Sequence, residues 1–178
     1  EPVVPTVNPE IGDFYYKDGT YSAELKEDAE NPCVGIVFAT TPLDGDVASN
    51  YGSEYTAIKG YVVALESAPT NTRLEFCAKG SDIDFTGMEL NKTGYENTKA
   101  FFADERYTNN TDKYPVIEKY LAFKTNTPTP EKSSGWYIPS INQLKEMTIG
   151  YYGFEETAKN ETFVNAINAI EGANLFVH

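Results

Sequence analysis

The segment GWYIPSINQL, residues 135–144, joins an extended aromatic run to a helix start. It contains Trp136, the single tryptophan of the chain. Ser140 and Gln143 have the spacing of a capping box, in which each side chain satisfies a backbone N–H group in the first turn of a helix. Pro139 biases the preceding residue toward extended geometry and so sharpens the corner. We interpret the segment as a structural corner of the core, with the indole mostly buried.

The composition is that of a folded protein. The chain has 178 residues, of which 40% are apolar and 13% aromatic, and this is enough to build a core. No apolar run approaches the roughly 20 residues of a membrane-spanning helix, so no transmembrane segment is predicted. Residues 1–10 contain three prolines and are predicted to form an extended tether. Residues 11–178 are predicted to form a single α+β domain.

The charge balance excludes one large class of partners. The chain has 27 acidic and 14 basic residues, which gives a formal net charge of −13. Such a surface repels phosphate backbones and anionic lipid headgroups, and no basic cluster with interleaved aromatic residues offsets it. We therefore expect no nucleic-acid partner.

The sequence lacks the side chains and motifs that most kinds of catalysis require. The single histidine, His178, leaves no internal imidazole for a catalytic triad or a metal cluster. Cys33 and Cys77 do not form a C-x-x-C pair, and there is no G-x-S-x-G, P-loop or G-x-G-x-x-G motif. We expect no enzyme activity, no cofactor and no metal site. A pair of carboxylates for glycoside hydrolysis needs only spatial proximity, so this alternative stays open in third place.

The first half of the chain has the patterns of an antiparallel sheet. Aromatic residues flank Asp18-Gly19, a dipeptide typical of the type I′ turn, and predict a β-hairpin over residues 13–22. The apolar runs 34–39 and 60–65 predict two paired central strands.

The second half has helical periodicity and predicts about four helices. They are expected to start after Thr93, at Pro115, after Ser140, and at Asn160 or Glu161. Thr93 and Glu96 form a second capping box. The third helix is predicted to present its apolar stripe to the core through Ile141, Leu144 and Met147.

The connection over residues 41–56 is long and polar, and long loops often carry function. Its candidate ligand-binding residues are Asp44, Asp46, Asn50, Tyr51 and Tyr55, because a sugar ring or a partner protein can stack on tyrosine beside polar groups. A calcium loop of the EF-hand type needs a glutamate at its twelfth position, and Glu54 is the eleventh residue counted from Asp44. A plain solvated connection remains the alternative.

Several segments in this order resemble one group of bacterial surface proteins. They are the hairpin GDFYYKDGTYS, the strands VGIVFA and GYVVAL, the helix GYENTKAF and the corner SGWYIPSINQL. The arrangement resembles secreted or lipid-anchored proteins of Bacteroides-type bacteria in the DUF1566 (Lcl C-terminal) and major-paralogous-domain group. In that group a Gly-Trp-x-Leu-Pro-Ser/Thr corner precedes a helix.

The resemblance implies a C-type-lectin-like α+β fold with a mostly antiparallel sheet. It also implies an exported protein that is either extracellular or held at the cell surface, with a lipid anchor in the outer membrane as one option. The calcium-lectin Glu-Pro-Asn motif is absent, so calcium-dependent sugar binding is not carried over. The formylglycine-generating relatives need a cysteine pair late in the domain. Cys33 and Cys77 lie early in this sequence, so that activity is not carried over. An oxidising compartment implies a Cys33–Cys77 disulfide, with two buried free thiols as the alternative.

These observations lead to three functional hypotheses. The first is a non-enzymatic cell-surface binding or adhesion module for a glycan or a surface protein. The second is a structural subunit of a self-assembling surface structure that is completed by a strand from elsewhere. The third is the carboxylate-based glycoside hydrolase.

Overall fold

The computed structural model describes residues 8–43, 45–65, 76–80, 93–127, 129–131, 133–148 and 157–170. These residues contain a four-stranded antiparallel sheet and five α-helices, which confirms the α+β prediction. The predicted tether falls on residues 1–10, of which residues 1–7 lie outside the described part of the chain.

The chain divides into two compact units, and each is described here by itself. The sheet unit consists of Glu1–Leu65, Thr129–Gly135 and Ile141–His178, and the helix unit consists of Glu66–Pro128 and Trp136–Ser140. The single domain expected over residues 11–178 stays a prediction.

The secondary-structure elements follow the predicted order. The strands are β1 (Phe14–Tyr16), β2 (Tyr21–Ser22), β3 (Cys33–Ala39) and β4 (Tyr61–Ala64). The helices are α1 (Gly94–Ala103), α2 (Glu105–Thr108), α3 (Pro115–Asn126), α4 (Ile141–Thr148) and α5 (Thr157–Asn168). A short 3₁₀ helix covers Ala48–Asn50.

The sheet has the strand order β2-β1-β3-β4, and every neighbouring pair is antiparallel. This arrangement confirms the N-terminal hairpin and the pairing of the two apolar strands. Residues directly opposite each other share a face of the sheet. Phe14 and Ile36 therefore share one face, whereas Tyr15, Tyr21 and Gly35 share the other.

The turn of the hairpin differs from the predicted type I′ turn. The N–H group of Gly19 donates to the carbonyl oxygen of Tyr16, so the turn is centred on Lys17 and Asp18. Gly19 follows with φ +86°. The connection is thus a three-residue loop with a glycine bulge. The Asp18 carboxylate stabilises it by accepting hydrogen bonds from the N–H and hydroxyl groups of Thr20.

The core of the sheet unit lies between β3 and α5. Phe38 packs edge-on against Phe163, with 6.5 Å between ring centroids. Phe163 and Ile167 are both buried, as the helical period predicts. The helix α5 begins at Thr157, before the predicted Asn160 or Glu161, because alanine and lysine at positions 158 and 159 favour helix.

The orientation of α4 corrects a prediction. Gln143 and Met147 are buried, whereas Ile141 and Leu144 have exposed fractions of 66% and 41%. Residues four apart lie on one face of a helix, and six residues carry the chain about 120° away from the starting face. Once Met147 faces the core, Gln143 lies beside it and Ile141 faces away. The predicted apolar stripe is therefore wrong at Ile141 and Leu144.

The helix unit contains its own core of buried residues, namely Phe101, Tyr107, Tyr114, Val116 and Ile117. The helix α1 begins as predicted, because the Thr93 side chain accepts a hydrogen bond from the N–H group of Glu96. Pro115 is the first residue of α3, also as predicted. The short helix α2, which the sequence patterns did not indicate, is capped by Asp104.

Candidate functional site

The loop of residues 41–56 is organised around Asp46. This side chain is 3% exposed, and its carboxylate accepts hydrogen bonds from three side chains. Asn50 Nδ2 donates at 2.9 Å, Tyr61 Oη donates at 2.8 Å, and the Tyr51 hydroxyl donates as well. All three donors are neutral groups. Their hydrogen bonds to the carboxylate offset the free energy that it loses by being removed from water.

Tyr61 connects this network to the sheet. It is the first residue of β4 and is itself buried. Its hydroxyl donates to Asp46 and accepts a hydrogen bond from the N–H group of Leu43 at 3.2 Å. The entry and the middle of the loop are therefore held by one residue of the strand that follows the loop.

The structure brings three of the predicted site residues together, Asp46, Asn50 and Tyr51. Tyr55 lies outside this network, and its hydroxyl donates to the carbonyl oxygen of Ser133 at 2.9 Å. Asp44 lies outside the described residues.

Sequence reasoning missed Tyr61, because a tyrosine at the start of an apolar strand is ordinarily a packing residue. No local spacing indicates that its hydroxyl meets a carboxylate 15 positions earlier.

Most of the exposed residues of the loop are small or polar, and the aliphatic Val47 is 52% exposed. Asn50, Tyr51 and Tyr55 are each half-buried. Asp46 is enclosed and accepts hydrogen bonds from Asn50, Tyr51 and Tyr61, so we assign it a structural role. Among the predicted site residues, Asn50, Tyr51 and Tyr55 keep part of their surface accessible to a ligand.

The Trp136 corner is a packing element of the helix unit. The half-buried indole donates from Nε1 to the carbonyl oxygen of Thr127 at 2.7 Å and packs edge-on against Phe123. The Tyr120 hydroxyl donates to the carbonyl oxygen of Trp136 at 2.5 Å. One residue further, Tyr137 packs edge-on against Tyr95.

The end of the corner leads into α4. Pro139 and Ser140 are half-buried, and α4 begins at the residue after Ser140, as the capping pattern predicts. Gln143, which the capping box placed at the third helical position, is 1% exposed.

The structure contains Cys33 and Cys77 as free thiols and not as the predicted disulfide. The Cys33 thiol donates to the carbonyl oxygen of Gly35 at 3.3 Å, and burial raises its pKa. Cys77 packs against the core of the helix unit. The two residues thus belong to different compact units, and each thiol has its own local contacts.

Two properties of the described residues bear on the candidate chemistry. Within the described ranges, no group of three or more histidine, cysteine, aspartate or glutamate side chains could hold a metal ion. None of the helices described is both long and apolar enough to cross a membrane.

Comparisons with known proteins give little beyond this. No family model and no curated protein matches the chain, so no family match supports the DUF1566 group or a C-type-lectin-like assignment. The chain is similar to the crystal structure of a fimbrial protein from Bacteroides ovatus ATCC 8483, with 19% identity and a TM-score of 0.46. The similarity covers 87% of this chain and 38% of that one, so this chain spans well under half the length of that protein.

Proposed function

We propose that this chain is a non-enzymatic binding or adhesion module of an exported cell-surface protein, and that its ligand contacts the loop of residues 41–56. The observation that carries the proposal is that two tyrosines of this loop are held by their hydroxyl groups and keep part of their surface accessible. Tyr51 is held by Asp46, and Tyr55 is held by the carbonyl of Ser133.

Anchored tyrosines suit recognition because their side chains have little conformational freedom left to lose when a ligand binds. Binding normally loses free energy when it orders side chains, and rings that are already fixed reduce that loss. Tyrosine also offers an apolar ring and a polar edge to the same partner. The buried Asp46 network fixes the Tyr51 hydroxyl, and the Ser133 carbonyl fixes the Tyr55 hydroxyl.

The absence of enzyme activity is proposed on chemical grounds. The chain has one histidine, at its last position, and no recognised nucleophile or phosphate-binding motif. The exported location, whether secreted or lipid-anchored, the membership in the DUF1566 group and the C-type-lectin-like fold are proposed from the sequence resemblance. Under this proposal the ligand is a glycan or a surface protein.

A binding screen with matched variants tests the proposal. The parent protein is applied to a glycan array and to immobilised surface proteins, and any ligand is then measured against the double variant Tyr51→Ala/Tyr55→Ala. We expect at least a tenfold loss of affinity. Thr125→Ala, an exposed substitution in the helix unit, serves as the control and should leave affinity unchanged.

Two outcomes would contradict the proposal. A ligand that the double variant binds as tightly as the parent would remove the loop from the binding face. Reproducible turnover of a glycoside or a peptide would replace the non-enzymatic class, and variants of close carboxylates would then locate the reaction.

A structural subunit of a surface assembly is the second candidate. It is favoured by the position of β4, which ends the sheet formed by the described residues and carries the half-buried Val62, Val63 and Ala64. Terminal strands can template pairing with another chain. Sedimentation velocity over a hundredfold range of concentration distinguishes the two candidates, because only a subunit that self-assembles should shift to larger species.

A further inference from the structure

The loop of residues 41–56 meets the N-terminal hairpin within the sheet unit. The Tyr55 hydroxyl donates to the Ser133 carbonyl at 2.9 Å. Pro130, three positions earlier in the same segment, lies against the hairpin turn, where a Cβ atom built on Gly19 would be 3.4 Å from the Pro130 Cβ. Pro130 therefore contacts the hairpin turn, and Ser133 contacts the loop.

Three tyrosines converge where these segments meet. The rings of Tyr15 and Tyr21 stack with 5.0 Å between centroids and an interplanar angle of 28°. Tyr15 is 7% exposed, and its pKa is raised by burial and then by the neighbouring Tyr21, Tyr55 and Asp18. Tyr15 is thus the buried centre of the group, and Tyr21 and Tyr55 are its half-buried outer members.

On the basis of the proposed function, we infer that Tyr21 and Tyr55 form one composite binding site across the hairpin and the loop, and that its ligand is a neutral carbohydrate. Tyr21 is held by its stack on Tyr15, and Tyr55 is held by the Ser133 carbonyl in the segment that contacts the hairpin turn. Both present apolar ring surface, which suits the C–H faces of sugar rings. The inference adds Tyr21, a residue outside the loop, to the binding face.

The polar surroundings favour a neutral sugar over a charged one. Asp18, at the turn beside Tyr15, has an exposed carboxylate that accepts hydrogen bonds from Thr20 and keeps further acceptor sites for ligand hydroxyls. The formal net charge of −13 opposes sulfated or carboxylated glycans through long-range repulsion. Sugar hydroxyl groups meet no such barrier.

Titration with defined polysaccharides tests the inference. Mannan, laminarin and galactan serve as neutral probes and heparin as the anionic probe, with binding measured by isothermal titration calorimetry. We expect the parent to bind at least one neutral probe and not heparin. Tyr21→Ala and Tyr55→Ala should each weaken that binding at least tenfold, whereas Tyr21→Phe, which keeps the ring, should stay within about twofold of the parent.

The possible failures are separable. If Tyr21→Ala binds like the parent while Tyr55→Ala does not, the composite site is wrong and the loop proposal stands. If heparin binds as tightly as the neutral probes, or if only proteins bind, the carbohydrate class is wrong. Tyr21→Thr, which keeps a strand-forming residue, replaces Tyr21→Ala if the alanine variant does not fold.

Discussion

The hydroxyl of Tyr61 donates a hydrogen bond to the carboxylate of Asp46 at 2.8 Å, and both side chains are buried. The two residues are 15 positions apart, one in a polar loop and one at the start of an apolar strand. Because an enclosed carboxylate is unfavourable without donors, this contact ties the conformation of the loop to the sheet. Tyr51, which also donates to Asp46, is held in place by the same network.

Removal of the Asp46 carboxylate should destabilise the sheet unit. Asp46→Ala leaves buried donors without their acceptor, and we expect a loss of about 3 kcal/mol in the free energy of unfolding, measured by urea denaturation. Tyr61→Phe removes one donor only and should lose about 1 kcal/mol. The exposed Asp112→Ala is the control and should change the free energy by less than about 0.5 kcal/mol. Equal effects of Asp46→Ala and Asp112→Ala would contradict the buried network.

A side chain at Gly35 should disrupt the pairing of β3 with β4. A Cβ atom built there would lie 2.6 Å from the backbone carbonyl oxygen of Val63 and would also overlap the Val62 side chain. We expect Gly35→Ala to lose about 3 kcal/mol in the free energy of unfolding. Gly45→Ala, at φ +70° with no atom within 4 Å, should lose only about 1 kcal/mol of conformational origin. If urea denaturation ranks the two variants the other way, the register of β3 and β4 is wrong.

Thr93 should contribute as a helix cap. Its hydroxyl accepts from the N–H group of Glu96 at 3.3 Å, and Thr93→Ala should lower the free energy of unfolding by about 1 kcal/mol. Thr125→Ala is a matched control within α3, because that exposed hydroxyl donates to the carbonyl of Leu121 inside an intact helix. Thermal denaturation followed by circular dichroism should show a lower midpoint for Thr93→Ala only. Identical midpoints would rule out the cap.

The stability of the helix unit should decrease at high pH through Tyr120. Burial, followed by the neighbouring Tyr95, raises the pKa of Tyr120 to about 12 from its ordinary value near 10. The folded state then keeps its proton where the unfolded state loses it, so this stabilisation is present in full below pH 10 and is lost between about pH 10 and 12. Urea midpoints at pH 8 and pH 11 should differ less for Tyr120→Phe than for the parent. Equal differences would remove Tyr120 as the cause.

The two cysteines should titrate as thiols. Ellman's reagent added to the unfolded, unreduced protein should detect both Cys33 and Cys77. In the folded protein, Cys33 should react more slowly than an exposed thiol, because burial raises its pKa and so lowers the thiolate fraction. Cys33→Ser should leave one reactive thiol per unfolded chain. If the unfolded, unreduced parent protein shows no reactive thiols, the result would instead support the disulfide that the resemblance implies.

Much of the secondary structure could be predicted from short-range patterns. The aromatic residues around Asp18-Gly19 predicted the hairpin, and the threonine–glutamate spacing at Thr93 predicted the start of α1. These signals work because the interactions join residues two to four positions apart. The turn type was missed because the Asp18 side chain bonds to Thr20, which favours a three-residue connection over the two-residue one.

The candidate site could be predicted only in part. The polar loop and its aromatic residues can be recognised in the sequence, but the different structural roles of these residues cannot. Asp46 is enclosed and Tyr55 is anchored elsewhere, although both have the same polar neighbourhood along the chain.

The sequence by itself determined the order of strands and helices, the position of the hairpin, the cap of α1 and the acidic surface, since each depends on local spacing or on composition. Only the tertiary structure decided which face of α4 is buried, where Gln143 replaced the more apolar Ile141. It also decided that Tyr61 meets Asp46, and that Tyr55 meets a carbonyl 78 positions away. Contacts of this range depend on how the elements pack against one another, because no backbone periodicity connects residues so far apart along the chain.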